Sequence, residues 1–214
     1  ERCWQTIPNR RQSAGKALRL PRNIGSSTSI ISKAPIMRQR WDVLGVMRPM
    51  ATMPMDKVRL SFDVNVFGMI ALSQAVIPGM KERGSGRIIN VSSIAGVLAS
   101  AQGSPYCMTK HAVEALTKSM RAELAPHGID VTKVNPGPYN TGFNDRMVNG
   151  AANYIEDGDS SANEVLAFMQ EMILNGQLNP NEVAQALADL SEADETPEEQ
   201  FLPEGIVDAL AAAL

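Results

Sequence analysis

Hydrophobic positions along this chain are orderly only from about residue 41 onward. Upstream, Leu18, Leu20, Ile24, Ile30 and Ile31 are too sparse for a helix face, and Pro21 and Pro35 interrupt what pattern they make. Asp42-Val43-Leu44 reads as the end of a short strand. Over 54–81, Val58, Leu60, Phe62, Val66, Phe67, Met69, Ile70 and Leu72 are spread around a long helix, which predicts burial on more than one side. Pro78-Gly79 should weaken its end. Arg87-Ile88-Ile89-Asn90-Val91 follows the turn Gly84-Ser85-Gly86 and is β-branched and nearly continuous, as a buried parallel strand should be. Ser104-Pro105 predicts a helix start, a serine N-cap followed by proline at the first helical position. Ala112, Val113, Leu116, Met120 and Leu124 then recur at helical spacing until Pro126 and Gly128 end the run. Ile129–Asn135 predicts another strand, closed by Pro136-Gly137-Pro138, and 161–175, 180–190 and 204–214 predict further helices. Alternating helix and strand predicts crossover units and a parallel α/β sheet covered on both faces. Lys133 conflicts with that picture, because an unpaired ammonium in a doubly covered strand is costly. Either its stem reaches an edge or the sheet is less covered there.

Composition narrows the class. Apolar residues at 44% and charged ones at 20% of 214 exclude wholesale disorder. No run of eighteen apolar residues is present, so no membrane span is expected. Cys3 and Cys107 make no disulfide framework or zinc spacing, and a reducing, cytoplasmic setting is the expectation. Charge is graded. Residues 1–40 carry nine basic residues against one acid, 41–146 eleven against eight, and 147–214 none against fourteen. The basic end has no aromatic interleaving or helical stripe, so a nucleic-acid arm is the weaker reading, as is a transit peptide. The acidic third reads as solvated helical surface, with Glu192, Asp194, Glu195, Glu198 and Glu199 in an exposed loop. His111 and His127 read as surface or structural residues, and Cys107 as packing.

Chemistry gathers in the middle of the chain. Tyr106 and Lys110 stand four apart just inside a helix start, so they share a face. Ser93 follows a strand end, where the loops of an open α/β sheet line a ligand crevice. A phenol is a poor acid–base at neutral pH, and a nearby ammonium is expected to lower its pKa. Ser93 can donate to a substrate oxygen as charge builds there. Such a site moves a proton, and a hydride must come from a cofactor. Tyr-x-x-x-Lys alone is a common surface pair; the serine thirteen residues upstream and the Pro136-Gly137 turn make it specific.

From Asp42 to about Met147 the chain resembles the classical short-chain dehydrogenase/reductase family. The residues that carry this are Phe62-Asp63-Val64-Asn65-Val66-Phe67-Gly68, Gly86-Arg87-Ile88-Ile89-Asn90-Val91-Ser92-Ser93, Tyr106-Cys107-Met108-Thr109-Lys110 and Asn135-Pro136-Gly137-Pro138. The resemblance implies a Rossmann-like doubly wound parallel sheet in a single domain and an NAD(P)-dependent oxidoreductase interconverting a secondary alcohol and a ketone. Ser93 would polarise the substrate oxygen, and Tyr106 would be general acid in reduction and base in oxidation. Lys110 would hold the nicotinamide ribose and tune Tyr106, and Asn65 would anchor a water of the proton relay. Pro136, Gly137 and Thr141 would line the nicotinamide site, with the variable substrate region at Gly142 to about Ser161. The helices 54–81 and 104–126 would build a homodimer or homotetramer.

The departures lie upstream. The family's glycine-rich turn, which holds the pyrophosphate, has no counterpart, since Gly15 and Gly25 are isolated. Nor can the residue choosing NAD or NADP be placed. Leu44 abuts Gly45 where the family reads Asp-Val-Leu-Val-Asn-Asn-Ala-Gly, four residues or roughly 13 Å of strand short. The expectation is therefore a remnant over 1–41, truncated, divergent or frame-shifted, leaving the fold incomplete at its N-terminal βαβ units. A catalytic core with C-terminal substrate helices would occupy 42–214. Dinucleotide binding is expected to be impaired, and the alternative is a non-catalytic binding or assembly module.

Overall fold

The computed structural model describes residues 47–101, 103–152 and 160–211, all within one structural unit spanning 33–214. The expectations for 1–41, for the strand end at 42–44 and for the shortened junction at Gly45 lie outside the described residues.

The predicted long helix is present but not uniform. It runs as α1 (Met55–Phe62), a π-helical turn over Asp63–Phe67, and α2 (Gly68–Arg83). A π turn inserts one extra residue per hydrogen-bonded ring and re-aims the side chains on it, and Asn65 lies in that turn. Pro78 does not end the helix. It continues to Arg83 and stops at Gly84, whose φ of 67° is the left-handed conformation that favours glycine. Burial on more than one side is not found: Val58, Ser61, Val66 and Ser73 are buried, while Met55, Phe67 and Leu72 are exposed. By length and composition the stretch Met55–Arg83 is apolar enough to cross a membrane, although no eighteen consecutive apolar residues occur in it.

Strand β1 (Gly86–Val91) follows, then a single 3-10 turn at Ile94–Gly96 and helix α3 (Ser104–Leu124). Gly103 takes the N-cap position of α3, so Ser104 is its first residue rather than its cap, and no side chain caps that end. Strand β2 (Ile129–Pro136) pairs in parallel with β1, Gly86 opposite Ile129 through Val91 opposite Val134. At Gly128, φ is 69° and a Cβ would collide with the Gly84 carbonyl oxygen, so the paired strands can start side by side only with glycine there.

Four helices and one strand complete the described chain. They are α4 (Phe143–Ala152), α5 (Ser160–Met169) with a π turn at Gln170–Leu174, α6 (Asn181–Glu192), β3 (Glu199–Leu202) and α7 (Ile206–Ala211). The sequence pattern did not predict α4 or β3. Strand β3 adds in parallel to β2, Lys133 opposite Glu199, giving the order β1-β2-β3. Both faces are covered, as expected for a parallel sheet. On one, Met120 and Leu124 of α3 with Ile77 and Met80 of α2 pack on Ile88, Ile129 and Val131. On the other, Val183, Ala186, Leu187 and Leu190 of α6 pack on Ile89 and Val134.

At the end of the sheet where β1 and β2 begin, Asp130 is the hub of a polar clamp. It takes Arg87 Nε at 3.0 Å, Arg121 at 2.9 Å and the Thr196 hydroxyl at 2.6 Å. Arg87 also donates to the carbonyls of Leu190 and Ala193, tying the end of α6 to the sheet. The opposite end, where the strands finish, is left to the candidate site.

Lys133 resolves differently from both sequence alternatives. Its side chain is fully buried, neither snorkelling nor in a thinly covered sheet. Nζ lies 2.8 Å from Glu114 Oε2 and 3.0 Å from Glu199 Oε2. Burial pulls the ammonium down, yet the two carboxylates outweigh it and leave its pKa raised. Glu199, expected in an exposed acidic loop, is instead the first residue of β3 and half of this pairing.

Candidate active site

Three polar side chains converge beyond the ends of β1 and β2. Ser93 is two residues past β1, extended, and buried. Its Oγ accepts from the Ala95 amide at 3.1 Å, capping the short turn, and lies 3.4 Å from the Pro136 carbonyl oxygen. Tyr106 enters from the first turn of α3, near enough to the Ser93 hydroxyl for that group to act on its pKa. Lys110, one turn further on, donates from Nζ to the Val91 carbonyl at 3.1 Å and lies 5.6 Å from the centre of the Tyr106 ring. The spacing of four does what a helix face should: both side chains reach the same strand end.

Electrostatics corrects one expectation. Burial pushes the Tyr106 phenol up to about 12; the Ser93 hydroxyl pulls against that and the Cys107 thiol adds to it. The ammonium of Lys110 is held at Val91 O rather than at the phenol oxygen. Lys110 itself is brought down to about 8, mainly by burial, with Glu114 opposing. At neutral pH the pair is therefore a protonated phenol beside an ammonium.

Asn65 reaches the site through one intermediary. Its Nδ2 donates to Thr109 Oγ1 at 3.0 Å, and Thr109 Oγ1 donates to the Tyr106 carbonyl at 2.8 Å. The π turn is what aims Asn65 at α3. Pro136 ends β2, and Gly137 donates to the Leu202 carbonyl at 2.7 Å, with a Cβ there 3.2 Å from the same oxygen. Thr141 is exposed and its contacts stay within its own loop, to the Tyr139 carbonyl and the Phe143 amide. The structure thus joins Ser93, Tyr106, Lys110 and, at one remove, Asn65, whereas Thr141 stays apart from them.

Several neighbours were not singled out from sequence. The Phe143 ring packs on that of Tyr106, centroids 5.6 Å apart and tilted 43°, and belongs to an apolar cluster with Met47, Met147, Val148 and Met169. Glu114, Ser92 and Asn135 form a buried polar group behind Ser93. The spacing of Glu114 from Lys110, again four residues on one helix, was a usable signal. His111 is exposed with Nδ1 2.9 Å from the Cys107 carbonyl, and Cys107 is buried, in line with their structural readings. His127 is exposed in the 3-10 turn after α3.

Fold and geometry together define a Rossmann-like α/β protein in which Ser93, Tyr106 and Lys110 gather beyond the strand ends. The chain belongs to the short-chain dehydrogenase family, whose model, described as short chain dehydrogenase, matches residues 42–151. An uncharacterized oxidoreductase, YusZ, of Bacillus subtilis is 35% identical over 146 residues, covering 64% of this chain and 50% of that protein. Human 17-beta-hydroxysteroid dehydrogenase type 1 is 30% identical, covering 66% of this chain and 44% of its own length. A gluconate 5-dehydrogenase from Burkholderia cenocepacia, crystallised with NADP and tartrate, superposes with a TM-score of 0.60 at 27% identity, over 78% of this chain and 63% of that one. The chain spans about half the length of the curated relatives it matches.

Proposed function

We propose that this chain carries the proton-transfer half of an NAD(P)-dependent oxidoreductase that interconverts a secondary alcohol and a ketone. The observation that carries the reading is the convergence of Ser93, Tyr106 and Lys110 at the carboxyl ends of parallel strands. The family relationship supports it. A hydroxysteroid dehydrogenase among the relatives and a gluconate dehydrogenase among the structural neighbours are both named for oxidising an alcohol.

A nicotinamide dinucleotide fits the donor set described here at one end. A phenol and an ammonium side by side suit ribose hydroxyls, and Lys110 and Tyr106 would hold them, with Pro136, Gly137 and Thr141 beside the nicotinamide. Bound NADH or NADPH would supply the hydride, and the gluconate 5-dehydrogenase neighbour was crystallised with NADP.

The protein's own residues handle the oxygen. In reduction, Ser93 donates a hydrogen bond to the carbonyl oxygen as negative charge develops. Tyr106 gives that oxygen its phenolic proton, and the phenolate left behind is stabilised by the Lys110 ammonium before a solvent proton restores it. Asn65, fixed by Thr109, would hold the water through which that proton arrives. Oxidation runs the same transfers in reverse. A cytoplasmic setting, and homodimer or homotetramer assembly through the faces of α1–α2 and α3, complete the reading.

The pH dependence of ketone reduction tests the proposal. Reduction needs both the phenol and the ammonium protonated. With values of about 12 and about 8, the rate is expected to be level below neutrality and to fall as pH rises through about 8, where Lys110 loses its charge. Steady-state reduction of a ketone panel with saturating NADH or NADPH between pH 6 and pH 10 measures this. A rate that climbs through this range would show that Lys110 and Tyr106 do not act in this way.

A further inference from the structure

Glu114 takes no part in the chemistry above, yet it lies directly behind it. It stands one helical turn past Lys110 on α3, with the residue 9% exposed. Its Oε1 accepts from Ser92 Oγ and, at 2.7 Å, from Asn135 Nδ2. Its Oε2 pairs with Lys133 at 2.8 Å. Asn135 Nδ2 also donates to the carbonyl oxygen of Ser93 at 3.2 Å. A single carboxylate therefore ties α3 to the ends of β1 and β2 where the Ser93 loop leaves the sheet. Gly96 closes over the arrangement, since a Cβ there would stand 2.7 Å from Glu114 Oε1 and 2.9 Å from Ser92 Oγ. Ser92 and Asn135 are buried, so these bonds are made out of water, where bonds to a charged acceptor are strongest.

We propose that Glu114 is a positioning residue: through Ser92 and Asn135 it fixes the loop that presents the Ser93 hydroxyl to Tyr106. Its consequence for catalysis rests on the oxidoreductase reading; the positioning itself does not. A carboxylate suits the task because one oxygen must take two donors while the other faces an ammonium. A glutamine could keep the first function but would turn an amide nitrogen towards Lys133.

Amide hydrogen exchange in the full chain reads Ser93 placement without any turnover. The Ala95 amide donates to Ser93 Oγ and the Gly96 amide to Ser93 O. Variants are made in a Lys133→Met background, so that no buried ammonium is left facing an emptied position. Relative to K133M alone, E114A/K133M is expected to exchange about tenfold faster at Ala95 and Gly96, with the mid-β2 amides of Val131 and Val134 unchanged. E114Q/K133M is expected to recover most of the protection. Should E114A/K133M not fold, Ser92→Ala leaves the ion pair whole and is expected to speed the same two amides about threefold. Unchanged exchange at Ala95 and Gly96, or exchange rising only in step with β2, overturns the proposal. Absence of dinucleotide-dependent turnover in the wild type would count against the oxidoreductase reading and leave this result standing. Where turnover is measurable, kcat is expected to fall in the same order with KM unaltered.

Discussion

Tyr106→Phe is expected to cut ketone reduction by about three orders of magnitude, within the span that a positioned general acid contributes. Only the hydroxyl is removed, so the ring contact with Phe143 persists and α3 keeps its packing. Stability should move by no more than about 1 kcal/mol, because the variant loses a single hydroxyl and also relieves a desolvated phenol. Steady-state rates alongside a urea melt separate the two effects. A variant that keeps a tenth or more of the activity would mean that the transferred proton comes from elsewhere, whatever the melt shows.

Lys133→Ala is expected to have the largest effect on stability, a loss of about 3–5 kcal/mol. Two causes add. The side chain is 0% exposed, so its truncation opens a cavity in the middle strand. It also strips the cation from Glu114, whose side chain is only 11% exposed and cannot recover the loss by hydration. Glu199, at 39%, can turn to water and should contribute little to the cost. Exposure thus decides which half of the pairing matters. The double variant E114Q/K133M removes both buried charges and is expected to return to within about 1 kcal/mol of the wild type, since apolar replacement of a buried pair is often neutral. Urea midpoints with a common m-value measure all three. A Lys133→Ala protein as stable as the wild type would mean that this ammonium is not held as described.

How much of this was legible in the sequence follows from how locally each feature is specified. The strand Arg87–Val91, the helix from Ser104 and the strand from Ile129 carry their own periodicity and stop signals, and they appear within a residue or two of the expected bounds. Ser93, Tyr106 and Lys110 were legible for the same reason, because strand end and helix start bring them together without help from distant parts. Strand β3 was not, since a four-residue element beginning with Glu199 has an acidic loop's composition and gains strand character only from pairing with β2. Helix α4 was hidden by Asn- and Gly-rich text whose apolar members, Phe143, Met147 and Val148, make sense only against Met47 and Met169. The burial forecast for the long helix failed because an even spread of apolar residues shows what could be buried, not what packs against it. The lowered phenol pKa was a pairwise inference. The structure adds burial, which outweighs the rest, and directs the lysine to a carbonyl.

The most direct test of the account is fluorescence titration of the full chain with NADH and NADPH, wild type against Lys110→Ala. The expected result is saturable binding that is lost in the variant, because Lys110 would be the main grip on the nicotinamide ribose. Binding that is the same with and without Lys110 would contradict the account at its centre.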